Sequence, residues 1–227
     1  MFLTWIRGYD SLQVGQAVFV AGMFQVLSVA PVAVLSRQLD PRVMLALGLA
    51  LYGCGLFMMT PLCTQWGAEE LFWPQAVRGF AGMFIIVPVT NLALGELPPE
   101  RLKMASGLYN LMRNLGGAVG IAAINIVLQN REPLHFARLA EHVSATNPAA
   151  SASLQALTLR FADVWGDLEK GKAAALASIT KMVHQQAAAM SFADALLAMT
   201  VLFFASLVFV PLLRRTDGTD GLAETEF

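Results

Sequence analysis

The sequence predicts an all-α membrane protein with five transmembrane helices, and three observations carry that prediction. Charge is scarce: Asp, Glu, Lys and Arg make up 14% of the 227 residues, against 56% hydrophobic, where a soluble domain spends about a quarter of its residues on charge. The charges are also segregated. Residues 11–36, 43–68, 79–95, 114–130 and 195–213 contain no acidic, basic or histidine side chain, and crossing the hydrocarbon core takes roughly 20 apolar residues in a helix. The third observation is the placement of basic residues in the connections.

Three of the uncharged runs are long enough unaided. The other two reach spanning length with the adjoining 71–77 and 104–112, at the expense of one arginine inside each helix. The spans are expected at about residues 14–35, 43–63, 71–94, 104–128 and 191–213. Residues 1–128 thus hold four helices, 129–190 a long outer segment, 191–213 the last helix and 214–227 a cytoplasmic tail.

Orientation follows from the loops. The first connection holds Arg37, Asp40 and Arg42, the third holds Arg101 and Lys103, and Arg214 and Arg215 follow the last span, while residues 64–70 carry no Lys or Arg. Short basic loops stay in the cytoplasm, so the three basic connections lie inside and the N-terminus outside. Trp5, Trp66, Trp73 and Trp165 fall on or near the outer side, with Trp66 and Trp73 at an interface where indole rings settle. Residues 131–189 then lie outside as well, since long segments translocate largely regardless of charge.

That outer segment has helical periodicity in Leu154, Leu157, Phe161, Trp165 and Leu168, and again in Leu176, Ile179 and Val183. Such amphipathic helices either cap the protein's own outer face or dock another protein. Residues 1–10 show no basic region followed by an apolar stretch and a cleavage site, so no cleaved signal is expected. A net charge of −1 argues against a nucleic-acid partner. Cys54 and Cys63 fit no metal or redox pattern. His135, His142 and His184 match no metal-ligand spacing and are expected as solvated loop residues.

Polar groups inside the spans carry the functional signal. Arg113 lies about nine residues into the fourth span, roughly 14 Å at 1.5 Å per residue, where a charge costs at least about 2.5–3.5 kcal/mol. Asn110, Arg113, Asn114 and Gly117 share one face by i+3 and i+4 spacing, and Gly120 extends it. That face must look into the bundle or a wet cavity, as a solute-contacting wall or as interhelical packing. Arg78, accompanied by Gln75, lies about seven residues below the outer end of the third span and can snorkel outward. Gly79 and Gly82 on the same helix, like Gly117 and Gly120, allow close helix approach. No Asp or Glu lies within a spanning core, so a carboxylate for proton coupling must come from elsewhere. No metalloprotease, nucleophile–base or Walker pattern appears, so no enzyme, no metal and no cofactor are expected.

These residues resemble a family. Arg7-Gly8-Tyr9-Asp10 with Gly15, the loop Ser36-Arg37-Gln38-Leu39-Asp40-Pro41-Arg42, Pro74-Gln75 with Arg78-Gly79-Phe80-Ala81, Pro88-Val89-Thr90, and Leu97-Pro98-Pro99-Glu100-Arg101 followed by Asn110-Leu111-Met112-Arg113-Asn114-Leu115-Gly116-Gly117 resemble the EmrB/QacA-type drug:proton antiporters, the fourteen-spanner branch of the major facilitator superfamily. Asn130 to His135 resembles the start of that family's long outer loop. Arg78 stands where EmrB-like sequences carry an amide.

The resemblance covers the C-terminal part only, the last five spanners. It implies alternating access between two domains and export of amphipathic drugs, driven by the proton gradient, across a bacterial inner membrane. It also implies a periplasmic adaptor and an outer-membrane channel as partners. Asn110, Arg113, Asn114, Gln75 and Arg78 would line the substrate path, and Arg37, Asp40 and Arg42 the inner gate. The alternative expectation is a truncated or split membrane protein that associates with other subunits and transports nothing by itself.

Overall fold

A computed structural model describes residues 2–95, 97–143 and 148–213. Glu96, Arg214, Arg215 and the expected tail 214–227 lie outside the described residues. The described chain is helical: α1 (Phe2–Arg7), α2 (Ser11–Leu27), α3 (Val29–Leu35), α4 (Pro41–Phe57), α5 (Ala68–Leu94), α6 (Pro99–His142), α7 (Pro148–Trp165), α8 (Leu168–Phe209) and a closing 3-10 turn, Val210–Leu212. Four stretches are long and apolar enough to cross a membrane, Ser11–Leu35, Ala68–Leu94, Pro99–His142 and Leu168–Leu212, with Pro41–Phe57 as a shorter apolar helix. The five expected spans overlap these five helices, the second only in part.

Local chemistry explains the irregularities. The first span breaks between α2 and α3 at Ser28, whose hydroxyl donates to the Gln25 carbonyl at 2.7 Å. Pro31 has no N–H to give the Leu27 carbonyl, so the helical hydrogen-bond ladder lacks one rung here. Asp40 precedes α4 with an extended backbone (ψ 131°), and Pro41 opens the helix, the position where a missing N–H matters least. The short α4 begins two residues before the expected span and ends six before its expected end, because residues 58–63 turn instead of continuing the helix.

α6 and α8 run well past the spans that charge depletion marks. At 1.5 Å per residue, the 44 residues of α6 and the 42 of α8 extend about 66 and 63 Å, roughly twice the hydrocarbon thickness. Glu132, Leu134, Phe136, Ala137 and Leu139 are compatible with helix, and Pro133 is tolerated within it. Charge marks where the membrane ends, whereas propensity marks where the helix ends.

The chain divides into two compact units, with α6 and α8 contributing to both. The first comprises Met1–Val14, Thr60–Gly67 and Ala122–Ala195, and holds the segments that sequence reasoning puts on the outer side. Leu3 and Ile6 are buried in it. Arg7 donates to the Thr64 carbonyl at 3.5 Å, Thr64 Oγ1 to Gln186 Oε1 at 3.1 Å and Gln185 Nε2 to the Ile6 carbonyl at 3.4 Å. α7 and α8 form a hairpin turned by Gly166 at φ +66°, whose N–H closes on the Ala162 carbonyl at 2.8 Å, the left-handed cap that glycine adopts without strain.

The expectation of three solvated loop histidines is corrected in part: all three lie in helices, and His142 and His184 are exposed, but His135 is not. His135 lies within α6, is 8% exposed, and its Nε2 sits 2.8 Å from Asp194 Oδ2. The ring of His184 stacks on Phe136 with centroids 4.1 Å apart. Arg131 Nε approaches the same Asp194 oxygen at 3.6 Å but is half exposed, so it adds little. Asp194→Ala leaves the buried His135 N–H without its acceptor, which costs about 1–3 kcal/mol. We expect a lowered melting temperature for purified Asp194→Ala protein in detergent and a smaller drop for Asp194→Asn, which keeps an acceptor. Equal melting of Asp194→Ala and the parent would show that the pair holds nothing.

The second unit comprises Gly15–Met59, Ala68–Ile121 and Leu196–Phe227. Its core packs Val32 of α3, Met44 of α4 and Phe84 of α5, with Leu35, Phe80, Met83 and Val87 around them. Glycines set the helix spacing. A Cβ on Gly48 would stand 2.7 Å from the Phe84 carbonyl, and one on Gly55 would stand 2.7 Å from Arg78 Cγ. Pro88 removes the donor that Phe84's carbonyl would meet within α5, and the bare Cα of Gly48 fits against that exposed backbone.

Candidate functional site

Within the second unit, α2, α4, α5 and the end of α8 line an open cavity of about 400 Å³ whose wall includes Gln25, Tyr52, Arg78, Ile85, Ile86 and Phe203. Each side chain is placed by a local packing reason. Gly79 brings α5 onto α2 so closely that a Cβ would collide with the Ala21 carbonyl oxygen, which sets Arg78, the preceding residue, beside the cavity. Gly48, Tyr52 and Gly55 occupy one face of α4 at i, i+4 and i+7. The two glycines meet α5 while Tyr52 reaches Arg78.

Arg78 Nη2 donates to the Tyr52 hydroxyl at 3.2 Å and Nη1 to the Met59 sulfur at 3.5 Å. Its Cζ lies 5.3 Å from the centroid of the Tyr52 ring, within reach of the cation–π attraction. Tyr52 stacks in turn on Phe203, 4.6 Å between centroids and 20° between planes. The Nε–H of Arg78 is buried and meets no acceptor. The arrangement can hold a guanidinium in an apolar setting with some donor capacity unspent.

The other expected residues are distributed as follows. Gln75 lies one turn before Arg78 on α5, half-buried. A Cβ on Gly82 would be in ordinary contact with Gln25, 3.6 Å from its Nε2. Asn110, Arg113 and Asn114 share α6 with Gly117 and Gly120, and residues 110–123 are exposed on almost every face. Gly117 and Gly120 meet nothing within 4 Å. α6 touches α5 through the Thr90 and Tyr109 hydroxyls, 3.1 Å apart. The structure thus brings Arg78, Gly79 and Gly82 into one cavity wall and leaves the Arg113 face of α6 open within this chain. In the first connection Arg37 is exposed, Asp40 precedes α4, and Arg42 is half-buried with its Nε meeting no acceptor.

Sequence reasoning missed Gln25, Tyr52 and Phe203. For Tyr52 a signal existed: a hydroxyl flanked by Gly48 and Gly55 on one helical face marks a contact surface. For Phe203, one of several aromatic and aliphatic residues along residues 195–213, no local signal distinguishes lipid-facing from cavity-facing.

Long apolar helices, glycine-spaced packing and a guanidinium held inside the helical unit define a multi-pass α-helical membrane protein. The chain belongs to the Major Facilitator Superfamily, whose family model matches residues 1–121. It is 31% identical over 204 residues to the colistin resistance protein EmrB of Acinetobacter baumannii, covering 90% of this chain and 39% of that protein. It is also 31% identical over 156 residues to the multidrug export protein EmrB of Escherichia coli K12, covering 65% of this chain and 29% of that one. A third relative, the fatty acid resistance protein FarB of Neisseria gonorrhoeae, is 24% identical over 137 residues, 60% of this chain and 27% of FarB. The chain therefore spans well under half the length of these relatives. No solved structure matches it.

Proposed function

We propose that this chain supplies the C-terminal part of a multidrug efflux permease that exports amphipathic compounds in exchange for protons across a bacterial inner membrane. The observation that carries the reading is the similarity to EmrB over 90% of the chain, joined to Asn110, Arg113 and Asn114, which stand exposed on the charge-poor stretch 104–128 of α6. Lipid cannot satisfy those groups, so they serve a solute path or meet the rest of the transporter. Gln75 and Arg78 belong to the same path, and Arg37, Asp40 and Arg42 contribute to the inner gate. The spanning cores hold no Asp or Glu, with Asp194 at the outer edge of the last one, so the groups that exchange protons are assigned to the rest of the transporter.

The basic connections support a cytoplasmic C-terminus. The collection of residues 1–14, 60–67 and 122–195 in one compact unit supports an outer, periplasmic position for that unit, where a periplasmic adaptor and, through it, an outer-membrane channel would engage. The test is uptake of an amphipathic dye into inverted vesicles from efflux-deficient cells expressing the longest product of the gene. Uptake should follow imposition of a proton gradient and collapse when an ionophore dissipates it. Uptake indifferent to the gradient would refute the antiport reading.

A further inference from the structure

We propose that the Arg78 cavity recognises anionic amphiphiles, molecules that join a carboxylate or sulfonate to a flat apolar body. The proposal rests on the transport reading above and names the substrate class at one of its sites. A guanidinium keeps its charge at any physiological pH, so the cavity carries a fixed positive charge inside a membrane unit. What the protein sets against that charge is neutral: the Tyr52 hydroxyl and the Met59 thioether. Among the described residues no carboxylate lies within ion-pair distance of Arg78, whereas Arg131 has Asp194 beside it.

The donors are arranged for an acceptor that the described residues do not provide. Arg78 Nε–H is buried and unmatched, and the Gln25 amide lines the same cavity. The remaining wall is apolar, with Ile85, Ile86 and the ring of Phe203, and Gly82 contributes no side chain to fill the space. A volume of about 400 Å³ falls within the range of small-molecule sites, roughly 300–1,000 Å³. A cation would meet repulsion here, and a neutral ligand would leave the charge uncompensated. An oxyanion answers both the charge and the planar donor fork, while its apolar body lies along the isoleucines and Phe203.

The test uses the longest product of the gene, purified into lipid nanodiscs, and two fluorescent probes of similar shape. Anilinonaphthalene sulfonate carries a negative charge, and phenylnaphthylamine is its uncharged relative. The parent protein should bind the sulfonate at least about tenfold more tightly than the neutral probe, a typical effect of one charge-assisted hydrogen-bonded pair. Arg78→Gln should remove most of that preference without changing neutral-probe affinity, and Arg78→Lys should retain part of it. Equal affinity of the parent for both probes would overturn the proposal, whether or not the variants fold. So would an Arg78→Gln protein that keeps the full preference, or one that folds and loses both probes equally. Selective anion binding by a protein that moves no dye in vesicles would uphold this site while refuting the transport reading.

Discussion

A Gly79→Leu protein should fail to accumulate in the membrane at parental levels, and what can be purified should melt far below the parent. Even a methyl group at this position would collide with the Ala21 carbonyl oxygen, and it would stand 2.8 Å from the carbonyl carbon. Backbone cannot swing aside as a flexible side chain can, so α5 must retreat from α2. Forced overpacking costs typically about 1–3 kcal/mol and occasionally more, and here it also opens the wall that carries Arg78. Association of helices in lipid relies on close van der Waals contact, because lipid tails are as apolar as the side chains, which leaves little to offset the separation. Gly79→Ala should act in the same direction with smaller size. Gly22→Ala is the control, since a Cβ there meets nothing within 4 Å. Parental melting of Gly79→Leu would show that α2 and α5 do not pack as described.

Arg113→Ala should abolish most of the drug resistance conferred by the complete transporter while leaving its amount in the membrane unchanged. Arg113 lies 14 residues beyond Pro99, the start of α6, or about 21 Å along the axis, on a stretch exposed on almost every face. Removing a charge from mid-membrane relieves an insertion penalty of about 2.5–3.5 kcal/mol, so insertion should not suffer. If the guanidinium contacts solute or the facing part of the transporter, losing a charge-assisted hydrogen bond of about 1.5–3 kcal/mol lowers function about tenfold or more. Arg113→Lys should retain part of the activity. Resistance equal to the parent, measured with matched membrane levels, would remove Arg113 from the functional set.

The five spans were legible in the sequence because the bilayer imposes a rule that single residues obey. Every backbone polar group in hydrocarbon must be satisfied within its own helix, and charge is excluded, so uncharged runs such as residues 11–36 and 195–213 mark themselves. The basic connections and the intramembrane arginines belong to the same local class of information. Arg78 and Arg113 were identifiable because a charge in a span needs an explanation wherever the helix points.

The pairings were legible only in the tertiary structure. Arg78 meets Tyr52 across 26 positions and His135 meets Asp194 across 59, and nothing local in either segment names its partner. His135 belongs to helix and not to solvent because α6 continues past the membrane boundary, and helix propensity carries no mark of that boundary. Which apolar face packs and which meets lipid is equally unmarked, since leucine suits both surroundings. Glycine is the exception in kind: Gly48, Gly55 and Gly79 permit contact, but the backbone they admit, Phe84, Arg78 or Ala21, is chosen by how the helices cross. The sequence by itself therefore determined the number of spans, their expected orientation and the residues that needed explaining. The crossing of the helices decided which of those residues share a cavity, because that choice depends on distances between segments far apart along the chain.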